Sequence, residues 1–158
     1  MHVLIAVDSF KGSLSSQKAG EAITTGILRV FPDATTQVIT MADGGEGTVE
    51  ALAQAAKGKI QVTQVTSPIG ETVEAHFGQL PDETFVLEMA AASGLPLVPK
   101  EKRNPLITTT RGTGELIQKA LDLGAKQIVI GIGGSATNDG GAGMAQALGV
   151  QLLDKEGR

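Results

Sequence analysis

The sequence predicts an α/β fold in two parts, a parallel-sheet domain and part of a second α/β domain with a mixed or antiparallel sheet. Three observations carry this. Val3–Val7 is an unbroken apolar run, as in strands buried on both faces of a parallel sheet, and a helix, a strand and a second helix follow it. Beyond residue 60 single apolar residues alternate with polar ones, the pattern of antiparallel strands with one wet face. Glycine, 21 of 158 residues against a usual ~7%, gathers in turns beside acids and hydroxyls.

Each element has a local cause. Ser15 or Ser16 can cap a helix that carries Ala19, Ala22, Ile23, Gly26, Ile27 and Val30 on one face. Phe31-Pro32-Asp33 ends it, since proline cannot continue the ladder. Val38–Met41 reads as a second strand. A helix from Glu46 to Lys57 turns Val49, Leu52, Ala53 and Ala56 inward, with Gly58 as the residue past its end. This is the opening of a doubly wound, Rossmann-like sheet. Ile60 and Val62, then Val73, Ala75 and Phe77, form a hairpin about the turn Ser67-Pro68-Ile69-Gly70. Thr84–Met89 is a strand, and residues 96–105, with three prolines and four charges, are a loop. Thr113 caps a helix with Leu116, Ile117, Ala120 and Leu121 that Gly124 closes. Lys126–Ile132 is a strand, Gly140–Leu148 a short helix and Val150–Leu153 a last strand. The change of pattern divides the chain into residues 1–60 and 61–158. The turn Asp154–Arg158 calls for a returning strand, so the chain is expected to be truncated in mid-fold.

Composition excludes several functions. A net charge of −4 offers no basic footprint for nucleic acid or an anionic membrane. Four phenylalanines, without Tyr or Trp, equip the chain poorly for stacking on bases. With no cysteine and two histidines, disulfides, thiolate metal sites and a His-based zinc site are not expected. No stretch approaches the ~18 apolar residues of a membrane span, and the apolar start is too short for a signal peptide. A cytoplasmic protein is the natural reading, and a homo-oligomer is compatible with it.

Three loops can do chemistry. Asp8-Ser9-Phe10-Lys11-Gly12-Ser13 follows the first strand, where ligands of open α/β sheets bind. Asp8 can hold a proton or a magnesium ion, Lys11 can neutralise a phosphate or carboxylate, and a plain polar loop is the competing reading. Ala42-Asp43-Gly44-Gly45-Glu46-Gly47-Thr48 brings backbone N–H groups and a helix N-terminus to bear on an anion. Asp43 and Glu46 would repel a bare phosphate, and make sense if a cation bridges them to it or if one accepts a hydroxyl proton. An ordinary capped helix start explains the same residues equally well. Gly131-Ile132-Gly133-Gly134-Ser135-Ala136-Thr137-Asn138-Asp139-Gly140-Gly141 is the strongest of the three. Its Gly131-x-Gly133-x-x-Ala136 spacing approaches a dinucleotide fingerprint. Ser135, Thr137, Asn138 and Asp139 intervene before the helix, however, and suit phosphate oxygens and Mg²⁺, with Asp139 the metal ligand. No lysine follows the glycines, so it is not a Walker A loop. Glu88, ending an apolar strand, can line a site, and Arg111 can fork onto a carboxylate. His76 alternates outward and is given no role.

These motifs, together with Glu88-Met89-Ala90-Ala91-Ala92-Ser93-Gly94-Leu95 and Gly112-Thr113-Gly114-Glu115-Leu116-Ile117, resemble the type I glycerate kinase family of bacteria, in order and from end to end. The resemblance implies ATP- and Mg²⁺-dependent phosphorylation of D-glycerate, at the C2 hydroxyl, in a cleft between two α/β domains. It implies that the first domain is discontinuous and that family members run more than twice this length. Lys11, Asp43 and Asp8 are then the expected catalytic residues. Ser9, Gly44, Gly45, Glu46, Glu88, Arg111, Gly133, Gly134, Ser135, Thr137 and Asn138 are expected to bind substrate or nucleotide. A nucleotide-dependent oxidoreductase and a non-catalytic piece of the kinase are the alternatives.

Overall fold

The computed structural model describes residues 1–157, in two sheets. Arg158, the end of the expected closing turn, lies outside the described residues. β1 (His2–Val7) and β2 (Thr35–Thr40) pair in parallel, from His2 opposite Thr35 to Val7 opposite Thr40. α1 (Ser16–Val30) makes the crossover, with Ser15 Oγ accepting the Lys18 N–H at 3.3 Å as its cap. It lies close on the sheet through Gly20, where a Cβ would stand 2.3 Å from Val38 Cγ1. Burial of β1 on both faces is not found. α1 covers one face only, so Ile5 is buried while Leu4 is 61% and Ile39 41% exposed.

The second sheet runs in the order β3-β4-β5-β6. β3 (Lys59–Thr66), β4 (Thr72–Gln79) and β5 (Thr84–Glu88) are antiparallel neighbours, and β6 (Gln127–Gly131) adds to β5 in parallel. The sheet is therefore mixed. α3 (Met89–Ser93) follows β5 directly, and two 3-10 turns, Leu95–Leu97 and Lys100–Lys102, sit in the proline-rich loop. α4 (Arg111–Asp122) packs on one face over Val65, Ala75, Phe77, Phe85 and Leu87. α5 (Ala142–Ala147) packs against α4. β5 is buried along its whole length because α2 (Thr48–Ala56) covers the other face.

The position of α2 corrects the doubly wound expectation. Instead of lying on β1 and β2, it packs on β3, β4 and β5. Val49 and Ala53 settle over Gly78, where a Cβ would stand 3.6 Å from Val49 Cγ1 and Val86 Cβ and 3.8 Å from Ala53 Cβ. The hairpin register explains the rest. Val62 pairs with His76 and Thr63 with Ala75, so Ile60 and Val62 share the α2 side of the sheet, not the side of Val73 and Phe77.

Several boundaries also differ. Gly47, left-handed, delays α2 to Thr48, and Lys57 (φ 55°) rather than Gly58 makes the left-handed exit. Thr110, not Thr113, precedes α4, because the Thr113 side chain is buried with Oγ1 2.8 Å from Ser93 Oγ. Val150–Leu153 is not a strand. Its residues are exposed and pair with no other strand among the described residues, the Val150 N–H going instead to Ala145 O at 3.0 Å. Among the described residues no helix is long and apolar enough to cross a membrane.

Candidate active site

β1 and β2 end side by side, and a buried serine ties their ends together. Ser16 Oγ donates to the Val7 carbonyl at 2.5 Å and accepts the Met41 N–H at 3.2 Å. The loops leaving the two strands are thereby held in fixed relation. Across them, the Lys11 ammonium donates to Asp43 Oδ2, while Asp43 Oδ1 accepts the Gly45 N–H at 3.1 Å. The hydrogen bond from Lys11, with help from Gly45, holds the Asp43 carboxyl below the usual carboxylate range. The hydrogen bond to Asp43 raises Lys11, with Asp8 and Glu46 adding further negative charge. Three acids thus surround one cation. Asp8 Oδ1 accepts the N–H of Ser9 at 2.6 Å.

The glycine loop after β6 meets this cluster through backbone alone. Gly133 N donates to Gly44 O at 3.0 Å, and a Cβ on Gly131 would stand 2.4 Å from the same oxygen. Gly45 is the meeting point. A Cβ there would lie 3.1 Å from Asp43 Oδ1, 3.5 Å from Lys11 Nζ and 3.9 Å from Gly133 Cα. Only residues without side chains let two loops from different sheets approach this closely.

A cleft of ≈ 540 Å³ opens beside the cluster, lined among others by Ser9, Lys11, Ser16, Glu46, Glu50 and His76. Ser9 Oγ is buried without a hydrogen-bond partner, the condition of a hydroxyl that can still take one. The structure thus brings Ser9, Lys11, Asp43, Gly44, Gly45, Glu46, Gly131 and Gly133 together, with Asp8 adjacent.

Other expected site residues lie elsewhere. Ser135 and Thr137, 2.8 Å apart through their hydroxyls, line a separate hollow of ≈ 280 Å³ with Arg103 and Thr108. The strand-like bridge from Gly94 to Ser135 holds them there: Leu95 N donates to Gly134 O and Ala136 N to Ser93 O, both at 2.9 Å. Asn138 is exposed.

Asp139 does not fit the expected metal role, because its oxygens are occupied by this chain's own donors. They accept Thr110 N (2.8 Å), Thr110 Oγ1 (2.8 Å), Gly143 N (3.1 Å) and Gly141 N (3.1 Å). Burial pushes its carboxyl up, but these donors outweigh burial and hold it below the usual value. It braces the starts of α4 and α5, where helix dipoles also favour an anion. Arg111 lies away from the cluster. Its Nε is 3.0 Å from Glu115 Oε1, a carboxylate that also takes the Thr66 N–H at 2.7 Å, and it borders neither cavity. The dinucleotide reading loses its support, since the helix opens only at Ala142, well past Ala136.

Glu88 lies buried under the start of α2, where its Oε1 accepts the Val49 N–H at 2.7 Å. Desolvation raises its pKa, and the Val49 bond only partly offsets that. Sequence reasoning missed Ser16 as the strand tie, Glu50 and His76. His76 is only partly exposed, because α2 lies over part of that side of the hairpin. Its Nε2 is 3.1 Å from Glu50 Oε1. Counting alternation from Phe77, which must face the core, would have placed His76 beneath the helix.

Comparison with known proteins identifies the family. A family model described as "Glycerate kinase family" matches residues 3–158. The glycerate kinase of Bacillus subtilis (strain 168) is 62% identical over 158 residues, covering 99% of this chain and 41% of that protein. The glycerate 2-kinase of Escherichia coli (strain K12) is 57% identical, covering 99% and 42%. A crystal structure of a proposed glycerate kinase 2 from Salmonella typhimurium LT2 superposes with a TM-score of 0.80 at 53% identity, over 99% of this chain and 42% of that one. The chain spans about two fifths of the length of the curated relatives it matches.

Proposed function

Because this chain belongs to the glycerate kinase family, we propose that the protein phosphorylates D-glycerate on its C2 hydroxyl with ATP and Mg²⁺, giving 2-phosphoglycerate. The observation that carries this reading is the Lys11–Asp43 pair held over two touching glycine loops at the mouth of the cleft. ATP supplies the phosphoryl group and Mg²⁺ part of the charge that stabilises its transfer. The residues fit both. Asp8, Asp43 and Glu46 around Lys11 give two net negative charges, a natural seat for a divalent cation with hard oxygen ligands. Asp8 and Glu46 would hold it, and Lys11 would face the phosphate.

Lys11 neutralises charge that develops on the transferred group. Asp43 orients the substrate hydroxyl. With its basicity lowered by Lys11, it serves better as a hydrogen-bond acceptor than as a strong base. Ser9 Oγ, lacking a partner, is free to bind the substrate carboxylate or hydroxyl. The cation of Lys11 also offsets the overall acidity that would repel an anionic substrate. A cytoplasmic setting and a homo-oligomer complete the proposal, as do two domains meeting at this cleft.

The test is an assay of the full-length enzyme with ATP, Mg²⁺ and D-glycerate, following ADP release, with phosphorus NMR to identify the product. The reading predicts 2-phosphoglycerate and losses of about 10²-fold or more in turnover for Lys11→Ala and for Asp43→Asn. Near-normal turnover in both variants would overturn the assigned roles.

A further inference from the structure

A second group of side chains, two of which line the cleft, has no part in the phosphoryl-transfer reading. Glu50 comes from α2, His76 from the middle of β4 and Glu88 from the end of β5. One ligand atom from each lies within 4.8 Å of the other two. Three elements from three places in the chain converge, so sequence proximity does not explain the group. Glu50 and His76 line the cleft, which gives an ion a route in.

The bonding around the three is incomplete. His76 Nε2 is buried, and it meets Glu50 Oε1 at 3.1 Å, an ion-pair contact without good hydrogen-bond alignment. Glu88 is 2% exposed, and a buried carboxylate needs either a counter-charge or a full set of donors. With the imidazole deprotonated, as a metal ligand must be, and both carboxylates ionised, the group would carry two negative charges, which one dication would match. The donor set also has a chemical preference. One imidazole nitrogen with two carboxylate oxygens suits first-row divalent ions such as Zn²⁺, Co²⁺ or Mn²⁺, whereas Mg²⁺ and Ca²⁺ favour oxygen alone. Ligands held at ~2.0–2.2 Å by one tetrahedral ion stand about 3.5 Å apart, so side-chain rotations of about an ångström would close the set.

We propose that Glu50, His76 and Glu88 form a binding site for one first-row divalent transition-metal ion, distinct from the magnesium of the kinase reading and independent of it. The chain's two histidines make the test clean, because His2 lies in the other sheet, 2.9 Å from Thr35 Oγ1 on β2, and serves as an internal control. Zn²⁺ alone, and Co²⁺ alone, are titrated into this chain. One equivalent is expected to bind, with Co²⁺ developing visible ligand-field bands and Zn²⁺ moving the imidazole NMR signals of His76 but not of His2. His76→Gln and Glu50→Gln should each weaken Zn²⁺ binding by at least the roughly 10- to 100-fold that losing even an outer-shell partner costs. Both side chains are partly exposed, so the variants are expected to fold, which circular dichroism without metal checks. His2→Gln should bind normally. No saturable binding by the wild-type chain, binding that survives both substitutions in folded protein, or a response at His2 in place of His76 would overturn the proposal. In the first of these cases the three groups simply neutralise one another through a protonated His76.

Discussion

Replacing Asp139 with alanine should destabilise the fold out of proportion to the size of the side chain. The carboxylate receives the N–H groups of Thr110, Gly141 and Gly143 and the hydroxyl of Thr110, and so locks the starts of α4 and α5 together. A hydrogen bond to a charged group contributes about 1.5–3 kcal/mol, and losing the acceptor strands donors in a partly buried place. These bonds share one acceptor group and do not add fully. A conservative expectation is about 3 kcal/mol, roughly two bonds' worth. For a chain of this size, about 3 kcal/mol corresponds to a fall in Tm of roughly 6–12 °C. Thermal unfolding followed by circular dichroism measures it. A pH series adds an independent check. The folded carboxyl titrates below its unfolded value, so its stabilisation is complete above the ordinary carboxylate range and is lost as pH falls through the depressed value. The gap between wild type and Asp139→Ala should therefore be full at neutral pH and shrink in acid. A Tm within about 2 °C of wild type at neutral pH, under 1 kcal/mol on the same scale, would refute the bracing role. So would a gap that stays constant into acid.

Three further outcomes follow from the geometry. Gly131→Ala places a Cβ 2.4 Å from Gly44 O and must push the 42–47 loop away; it should cost about 1–3 kcal/mol in chemical denaturation and, in the full-length enzyme, lower kcat. Ser16→Ala leaves the Met41 N–H and the Val7 carbonyl without their link and should cost about 1–2 kcal/mol, whereas Ser16→Thr, if accommodated, should recover most of it. Glu115→Gln should weaken the hold on the Thr66 N–H and free Arg111, with a stability loss of about 1 kcal/mol and no change in glycerate kinase KM, since neither residue borders the cleft.

Much of the fold could be read from the chain because local pattern and final packing agree there. Ser15 caps α1 and Gly124 follows α4, as their chemistry requires. The hairpin turn at Ser67–Gly70 falls between the strands it was expected to join. The errors share a cause: they concern which surface an element is packed against, and periodicity does not encode that. The apolar stripe of α2 is the same whichever sheet it covers, and the choice is made by the hollow at Gly78 on β4. The same gap affects the site. Clustered glycine marked the 42–48 and 131–141 loops as places where backbone comes close, but the pattern did not show that each would approach the other. Nothing local showed that Asp139 would turn back onto Thr110, 29 positions earlier, or that Arg111 would be claimed by Glu115.

The seat of α2 bears on how the molecule can be divided. Read along the chain, the helix is the tail of the β1–β2 unit, and a fragment ending near residue 58 looks like a tidy module. Such a fragment would carry Val49 and Ala53 into water with nothing to cover them, and its complement would lose the lid over Val86 and the donor that satisfies Glu88. The seam that respects the packing runs just before Thr48, through the left-handed Gly47. Pieces cut there would each keep the helix that belongs to their own sheet.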